Sequence, residues 1–405
     1  MMHAPHLDWP FFDDRHRELA SSVSAWLSSQ PPLGIAPTND GTAADASTRK
    51  WVKRLGDGGW LRYCVPAAWG GALETVESRS LCVLREMLAA HDALADFAFA
   101  MQGLGSGAIT LGGTEELQRR WLPRVARGEA IAAFALSEPE AGSDAAALRT
   151  TATRVANGWR LDGTKTWISN GGIADFFCVF ARTSTDTAPA KGITAFLVPA
   201  GTSGLGIKER ISVMSPHPLA TLSFERCVVP DENRLGDEGG GFALAMKTLD
   251  VFRVSVAAAA TGFARRALAE ALEHAAERVM FGSTLGDQPL AQGILGDMAT
   301  QLDAAALLTY RAAWHRDTRP GRATGIAAVA KLGATELAQQ VIDSALQLHG
   351  ARGVRVGEIV ERLYRDIRAL RIYEGASEVQ RILVGREMLK SVREQQTTGS
   401  GQVTA

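Results

Sequence analysis

The sequence predicts an α+β multidomain fold: a helical domain, a β-barrel domain, then a four-helix-bundle-like helical domain. Apolar residues recur at helical spacing up to about residue 130, alternate from Ile131 onward, and return to helical spacing after Gly241. The 405 residues suffice for two or three domains. We place the predicted domains at 1–130, 131–238 and 239–394, with a polar tail at 395–405 that its composition predicts to be disordered.

The N-terminal third is predicted to be helical. Thr114 is a predicted cap for the last of its helices. Prolines 31 and 32 break the first helix, and residues 35–48, rich in Thr, Ala and Asp, predict a loop. The other predicted helices are Arg15–Leu27, Trp51–Gly58, Thr75–Asp92 and Leu94–Leu111.

The middle and C-terminal parts differ in period. About six strands are predicted in the middle part, two of them joined by the hairpin signal Asn157-Gly158. The predicted strands are Ala132–Leu136, Thr150–Val155, Trp159–Ile168, Phe176–Arg182, Ile193–Val198 and Leu222–Val229. The predicted C-terminal helices are 241–277, 289–316, 322–349, 356–373 and 377–392.

Composition excludes several functional classes. The net charge of −1 and the lack of a basic stripe argue against nucleic-acid binding. Four widely spaced cysteines without a CxxC pair favour a reducing compartment over a disulfide framework, and no metal site is predicted. Residues 1–12 lack the pattern of a signal peptide, and no apolar run approaches the ~20 residues that span a bilayer. These features predict a cytoplasmic protein without a membrane segment.

Glu374 lies at a predicted break between two helices. Gly375 is a natural helix stop, and Ser377 with Gln380 has the spacing of a capping box that starts the next helix. A carboxylate beside the negative end of the arriving helix is locally unfavourable. By itself this favours an exposed glutamate at a fraying end, and only weakly indicates a function.

Two motifs connect the chain with a known family. Tyr-Glu-Gly-Ala-Ser-Glu-Val-Gln-Arg at 373–381 resembles the C-terminal signature of the acyl-CoA dehydrogenases. Leu-Ser-Glu-Pro-Glu-Ala-Gly-Ser-Asp at 136–144 resembles a second signature, and further pieces lie between them in order. The resemblance covers nearly the whole chain. It implies FAD as cofactor, an acyl-CoA substrate, an electron-transfer flavoprotein as partner, and a dimer or tetramer.

The resemblance also implies which residues bind FAD. The strand end at Leu136 and Ser137 would bond the flavin edge, the Trp167 indole would lie against the ring, and the Ser169 hydroxyl would lie near N5. Arg278 suits the pyrophosphate of FAD in a neighbouring subunit, because its planar guanidinium matches phosphate. The amides that begin the last helix would form an anion site. The complete predicted set is Phe134, Leu136, Ser137, Trp167, Ile168, Ser169, Arg278, Phe281, Gln347, Gly350, Ala351, Ala376, Ser377 and Glu378.

Desaturating a thioester requires a base for the α proton and a hydride acceptor facing the β carbon. By the resemblance Glu374 is the base, its backbone N–H and a flavin ribityl hydroxyl hold the thioester carbonyl, and N5 receives the hydride. Burial under substrate and flavin would raise the pKa of such a carboxylate. Some relatives place the base on an earlier helix, at the position of Phe252 here, which cannot serve. The predicted substrate contacts are Ser143, Asp250, Arg253, Tyr373 and Gly375.

Several departures from the family leave alternatives open. Ala376 replaces the usual Thr, Ala351 replaces a Gly, and residues 212–224 lack the usual Gly-x-Arg pattern. Either Gln288 or Gln292 could contact FAD, and Asp250 with Arg253 could instead be a surface ion pair. A carrier-bound acyl or aminoacyl substrate, an acyl-CoA oxidase and a non-catalytic flavoprotein scaffold are the competing hypotheses. His349 is interpreted as structural. Hypothetical acyl-pocket residues are Phe97, Ala98, Met101, Gln102, Leu104 and Tyr373.

Overall fold

The structure is a computed structural model that describes residues 5–32, 42–319, 321 and 323–400. These residues form two compact units. The first extends from Phe12 to Phe252, and the second contains the residues from Arg253 onward and a short N-terminal stretch that ends at Phe11. Within the described part of the chain, none of the helices has the length and apolar character needed to cross a membrane.

Five α-helices open the first unit, as the helical period predicted. The second of them begins at Thr42, inside the stretch 35–48 that the sequence predicted as a loop; residues 33–41 lie outside the described part. Its buried face contains Thr48, Trp51 and Leu55, whose helical spacing the polar residues around them concealed. The helices are α1 (Asp14–Ser28), α2 (Thr42–Asp57), α3 (Ser78–His91), α4 (Ala93–Gly112) and α5 (Glu115–Ala126).

The helix termini follow capping chemistry. The Thr114 hydroxyl accepts the Leu117 N–H at 3.3 Å, which confirms the predicted cap. Asp92 caps α4 in the same way, by accepting the Leu94 N–H at 2.9 Å. Helix α4 also connects to the sheet through the buried Gln102 side chain, which donates to the Ala130 carbonyl at 2.7 Å and accepts the Ala132 N–H at 2.9 Å.

Eight strands form one sheet after these helices, where the sequence predicted about six. The two additional strands lack an alternating apolar pattern: β6 is largely exposed and charged, and β8 has only two residues. Along the hydrogen-bonded order the strands follow one another as β6-β7-β3-β2-β4-β5-β8, and β1 pairs with β4. The strands are β1 (Ala132–Ala135), β2 (Thr151–Val155), β3 (Gly158–Ser169), β4 (Phe176–Arg182), β5 (Ile193–Pro199), β6 (Leu205–Arg210), β7 (Leu219–Val229) and β8 (Arg234–Leu235).

Strands β2 and β3 form the predicted hairpin. Val155 pairs with Gly158, whose φ of +133° lies in a region that only glycine adopts readily. Strand β3 also pairs antiparallel with β7, and the register shifts between Lys165 and Ile168. A shift of this kind is a β-bulge, which redirects side chains locally.

The remaining helices agree closely with the predicted ones. Helix α6 contributes residues 241–252 to the first unit and 253–277 to the second. A short hairpin of β9 (Val279–Met280) and β10 (Ser283–Thr284) follows it. Helix α10 continues to Ser400, into the tail predicted to be disordered, and residues 401–405 lie outside the described part. The helices are α6 (Gly241–Glu277), α7 (Pro289–Thr318), α8 (Thr324–Leu348), α9 (Ile359–Leu370) and α10 (Ser377–Ser400).

Candidate active site

In the first unit, the two predicted flavin stretches lie side by side. The Ser137 carbonyl, just past the end of β1, accepts the Thr166 N–H of β3 at 3.0 Å. One residue before Ser137, the Leu136 carbonyl accepts a hydrogen bond from the Lys165 ammonium, also at 3.0 Å. The fold therefore brings together two motifs that are separated by about thirty residues of chain.

A buried ion pair holds these two stretches together. The Lys165 ammonium lies 2.7 Å from Glu138, whose carboxylate also accepts the backbone N–H groups of Arg149 and Thr150. Burial lowers the pKa of Lys165 to about 8, against the opposing effect of Glu138. Burial raises the pKa of Glu138, but the Lys165 charge and the hydrogen bonds outweigh it, so this pKa lies below its ordinary value.

Trp167 occupies the bulge in β3 with an unusual backbone. Its φ is +58°, in the left-handed region that costs a non-glycine residue roughly 1 kcal/mol or more. The indole is 59% exposed, although the flanking Thr166 and Ile168 are buried. Strain at a solvent-facing aromatic is typical of a binding site rather than of a core strand.

The other predicted residues of the first unit have different surroundings. Phe134 packs on Phe180, with ring centroids 4.8 Å apart, and Ile168 is buried, so both side chains contribute to the core. Ser143 is exposed in the turn after β1. Phe252 is buried beside Gly103, where an added Cβ would lie 2.4 Å from its ring.

Two of the hypothetical pocket residues lie in the interior of the first unit. Ala98 is fully buried, and both functional groups of the Gln102 amide bond to backbone, as described for α4. Phe97 instead contacts the His217 ring at a centroid distance of 4.5 Å, and burial lowers the pKa of that histidine. His217 belongs to the stretch that lacks the family pattern.

In the second unit, Glu374 lies in the joint between α9 and α10, as predicted. Helix α9 ends at Leu370 and α10 begins at Ser377. Glu374 has a φ of +51° and Gly375 a φ of +94°, so two successive residues have left-handed backbone. A glutamate persists in this conformation only where its surroundings impose it.

Three side chains donate to the carbonyls of Glu374 and Gly375. The Lys331 ammonium bonds the Gly375 carbonyl at 2.7 Å, and the Gln380 amide reaches the same oxygen at 3.0 Å. The Arg253 guanidinium donates to the Glu374 carbonyl at 3.4 Å. Arg253 is only 5% exposed and so does not lie on the surface, whereas Asp250 is half-buried.

The predicted capping box is wrong. The Ser377 hydroxyl donates to Glu336 of α8 at 2.5 Å, and Glu336 also accepts two hydrogen bonds from Arg371. The Gln380 amide points to the preceding carbonyls instead of the cap. The Ser377 N–H donates to the Arg371 carbonyl at 3.0 Å, so the predicted anion site keeps only the amides of Ala376 and Glu378.

The stretches around Arg278 and Gln347, both predicted to bind FAD, also meet in the second unit. His274, one turn before Arg278, stacks on His349 with ring centroids 4.3 Å apart. Burial lowers the pKa of His274, and the charges of His349, Arg352 and Arg278 lower it further. The Arg278 side chain is exposed, as are Gln347, Gly350 and Ala351.

Phe281 follows with a φ of +51° and an exposure of 89%. The two glutamines with an undecided role both have local partners. Gln288 donates to the Ser283 hydroxyl at 2.8 Å and Gln292 to the Gly286 carbonyl at 2.9 Å. Both side-chain amides are therefore engaged in hydrogen bonds with nearby residues.

Comparison with known families identifies the chain. Models of the acyl-CoA dehydrogenase N-terminal, middle and C-terminal domains match residues 13–129, 133–227 and 239–389. The chain is 34% identical over 391 residues to the probable acyl-CoA dehydrogenase FadE25 of Mycobacterium tuberculosis, which covers 95% of this chain and 98% of that relative. The chain belongs to the acyl-CoA dehydrogenase family. The predicted family, fold class and oxidoreductase class are thereby confirmed.

Other relatives agree. The mitochondrial short-chain specific acyl-CoA dehydrogenase of Mus musculus is 39% identical over 344 residues, or 84% of this chain and 83% of the relative. Butyryl-CoA dehydrogenase from Megasphaera elsdenii superposes with a TM-score of 0.85 at 33% identity, over 93% of this chain and 99% of that one.

Two further solved structures bear on cofactor and partner. A chain in the structure described as "Electron transferring flavoprotein of Acidaminococcus fermentans" has a TM-score of 0.85 at 32% identity, over 93% of this chain and 98% of that one. The structure "PigA with FAD and proline" gives a TM-score of 0.82 at 25% identity, over 93% and 98%.

The residues present in this family member fit a flavin. Within the described part of the chain, the half-buried hydroxyls of Ser137 and Ser169 have no protein hydrogen-bond partner, and the neighbouring Trp167 indole faces outward. Among the described residues, Arg278 forms no ion pair with a carboxylate. Hydroxyl groups, an aromatic face and a guanidinium are suitable contacts for an isoalloxazine ring and a pyrophosphate.

The motifs did not predict the buried polar contacts that support them. Lys165, Lys331 and Gln380 are inaccessible to solvent, and each donates to a motif carbonyl. A usable signal existed for Lys331, because it is the one charged residue between Gly325 and Thr335. A charge inside an apolar helical run predicts a buried partner.

Proposed function

We propose that this chain is an FAD-dependent dehydrogenase that desaturates an acyl-CoA thioester between its α and β carbons, with Glu374 as the base. The observation that carries the proposal is the left-handed backbone of Glu374, imposed by the surrounding donors in a joint that matches the family signature. Bound FAD would supply the hydride acceptor, its N5 atom, for the β hydride.

The chain's own residues would then have separate roles. The Glu374 carboxylate takes the α proton, and its backbone N–H donates to the thioester carbonyl, which acidifies that proton. Asp250, Arg253, Ser143, Tyr373 and Gly375 contact the substrate. For Arg253 the bond to the Glu374 carbonyl adds a positioning role.

Each unit contains predicted FAD contacts. In the first, we assign Ser137, Ser169 and Trp167 to the flavin ring, with backbone contacts from Phe134, Leu136 and Ile168. In the second, we assign Arg278 and Phe281 to the pyrophosphate of FAD in a neighbouring subunit. Gln347, Gly350 and Ala351 are assigned to FAD across the dimer, and the amides of Ala376 and Glu378 to an anion site for FAD.

The remaining assignments rest on the family. We propose an electron-transfer flavoprotein as electron acceptor, supported by the similarity to the chain in the Acidaminococcus fermentans structure. We also propose a homodimer or homotetramer, because the FAD site of the family is shared between subunits. The four cysteines, all of them in the described part of the chain, are buried and form no disulfide, which suits the cytoplasm proposed as location.

The test is a panel of acyl thioesters added anaerobically while the flavin absorbance is followed. Wild-type protein is expected to bleach with at least one of them. Glu374→Gln should stay yellow and reduce its flavin at least about a thousandfold more slowly, because a positioned base contributes roughly 10²–10⁴. Glu387→Gln, on the exposed surface of α10, is the matched control and should bleach normally.

The same panel separates the competing functions. Bleaching only by carrier-bound thioesters would favour the second candidate, a carrier-dependent dehydrogenase, which the altered stretch around His217 makes worth testing. Release of hydrogen peroxide without an added acceptor would identify an oxidase. A protein that takes up no FAD would be a non-catalytic scaffold. Fast bleaching by Glu374→Gln would show that the base lies elsewhere.

A further inference from the structure

Lys331 is a fully buried lysine on α8 that donates a hydrogen bond to the joint between α9 and α10. Its side chain has no accessible surface, and its ammonium donates to the Gly375 carbonyl at 2.7 Å. Among the described residues it forms no ion pair with a carboxylate within 4.0 Å. A buried ammonium without a contact ion pair is costly, so its presence needs a reason beyond packing.

Four charged groups act electrostatically on Lys331. They are Arg253 on α6, Glu336 on its own helix, Glu374 in the joint and Glu378 on α10. Burial lowers the pKa of Lys331 to about 8, and Glu374 is the strongest of the carboxylates that oppose this effect. At neutral pH the ammonium therefore stays charged, and the attraction between Lys331 and Glu374 is mutual.

The hydrogen bond is made at a point where the backbone needs support. Glu374 and Gly375 both have positive φ, and the carbonyl that Lys331 holds belongs to the second of them. Gln380 donates to the same oxygen, and Glu336 fixes the two ends of the joint through Arg371 and Ser377. Lys331 combines a bond to the joint with a positive charge near the proposed base, and Arg253 does so through its weaker bond to the Glu374 carbonyl.

We propose that Lys331 is a positioning residue for the Glu374 base: its hydrogen bond to Gly375 holds the left-handed turn, and its charge favours the ionised carboxylate that accepts the proton. The first half of this inference, the support of the left-handed turn, rests on the geometry of the joint. The second half, the effect of the charge on the base, rests on the proposed function.

The experiment compares Lys331→Met with Thr335→Val in the FAD-loaded protein. Thr335 lies one turn further along α8, is buried, and donates only to the Lys331 backbone carbonyl and more weakly to Leu332, so its loss disturbs α8 without touching the joint. Two quantities are measured: hydrogen exchange of peptides that cover residues 371–380, and the pH profile of flavin reduction by a bleaching thioester.

Lys331→Met is expected to retain FAD, to exchange the joint amides at least about tenfold faster, and to reduce its flavin roughly 10²-fold more slowly. Its pH profile should move to higher pH by about 1, because removal of a positive charge disfavours the ionised base. Lys331→Arg keeps the charge and should retain the wild-type profile. If Lys331→Met does not fold, Lys331→Gln replaces it as the uncharged variant.

The outcomes are distinguishable from failure of the proposed function. Unchanged joint exchange in the uncharged variant, or equal changes in Thr335→Val, would overturn the positioning role. An unshifted pH profile would overturn the charge effect. If no thioester bleaches even the wild-type flavin, the proposed function and the second half of the inference fail together, while the exchange comparison still decides the first half.

Discussion

Two buried lysines, one in each unit, donate to a backbone carbonyl of a family motif. Lys165 bonds the Leu136 carbonyl at 3.0 Å, and Lys331 bonds the Gly375 carbonyl at 2.7 Å. Burial lowers the pKa of both to about 8. They differ in their counter-charge: Lys165 has a contact ion pair with Glu138, whereas Lys331 faces the carboxylates around it without one.

The difference suggests how one arrangement serves two purposes. In the first unit, Glu138 neutralises the charge of Lys165 and also accepts two backbone N–H groups. The result is a rigid connection between two strand ends. In the second unit the charge is left to act on the carboxylate proposed as the base. We expect the first lysine to matter more for stability and the second more for activity.

The largest effect is expected from Lys165→Met. It leaves the Glu138 carboxylate buried without a counter-ion, which should lower the free energy of unfolding by about 3–5 kcal/mol. Lys331→Met removes one charge-assisted hydrogen bond and should cost about 1–3 kcal/mol. Urea unfolding followed by circular dichroism measures both. The double variant Lys165→Met/Glu138→Gln should recover part of the loss, and a larger cost for Lys331→Met would contradict the comparison.

A smaller effect is expected from Trp167→Gly, which tests the proposed contact between the Trp167 indole and FAD. Losing the indole face should weaken FAD binding about 30-fold, or about 2 kcal/mol, as judged by fluorescence on dilution of the loaded protein. The control is Arg226→Gly. Arg226 also has left-handed backbone, with a φ of +51°, but lies at an exposed position outside the motifs. Equal loss of FAD from both variants would mean that the backbone, not the indole, holds the flavin.

The smallest expected effect is on the pH dependence of stability. Because the pKa of each lysine is about 8 in the folded chain against an ordinary 10.5, the unfolded chain binds the proton more tightly. The cost of burial is complete below pH 8 and is relieved as the pH rises toward 10.5. Between pH ~7.5 and ~9 each lysine should thus add about 1 kcal/mol.

Urea midpoints across this range, compared between wild type and each Lys→Met variant, give the two contributions separately. We expect each variant to lose a similar share of the increase in unfolding free energy that wild type shows between these pH values. A clearly smaller share for Lys165→Met would show that its ion pair with Glu138 keeps the ammonium charged to higher pH.

The motifs that carry chemistry could be read from the sequence, but their supports could not. Glu374, Ser137, Trp167 and Ser169 stand in contiguous signatures. The left-handed backbone of Glu374 and the hydrogen bonds around it depend on residues far away in the chain. Lys331 is forty-three residues before Glu374, and the Ser377 hydroxyl bonds Glu336 rather than forming the predicted capping box. Local spacing predicts local hydrogen bonds, and here tertiary donors replaced them.

The sequence by itself determined the order of helices, sheet and helices, the family, and the residue proposed as the base, because hydrophobic periods and contiguous motifs are local properties. The tertiary structure decided which strands the charged β6 joins, that Arg253 is buried, and that Trp167 and Glu374 have left-handed backbone. Those features arise from burial and from hydrogen bonds between distant segments, which become definite only when the chain has folded.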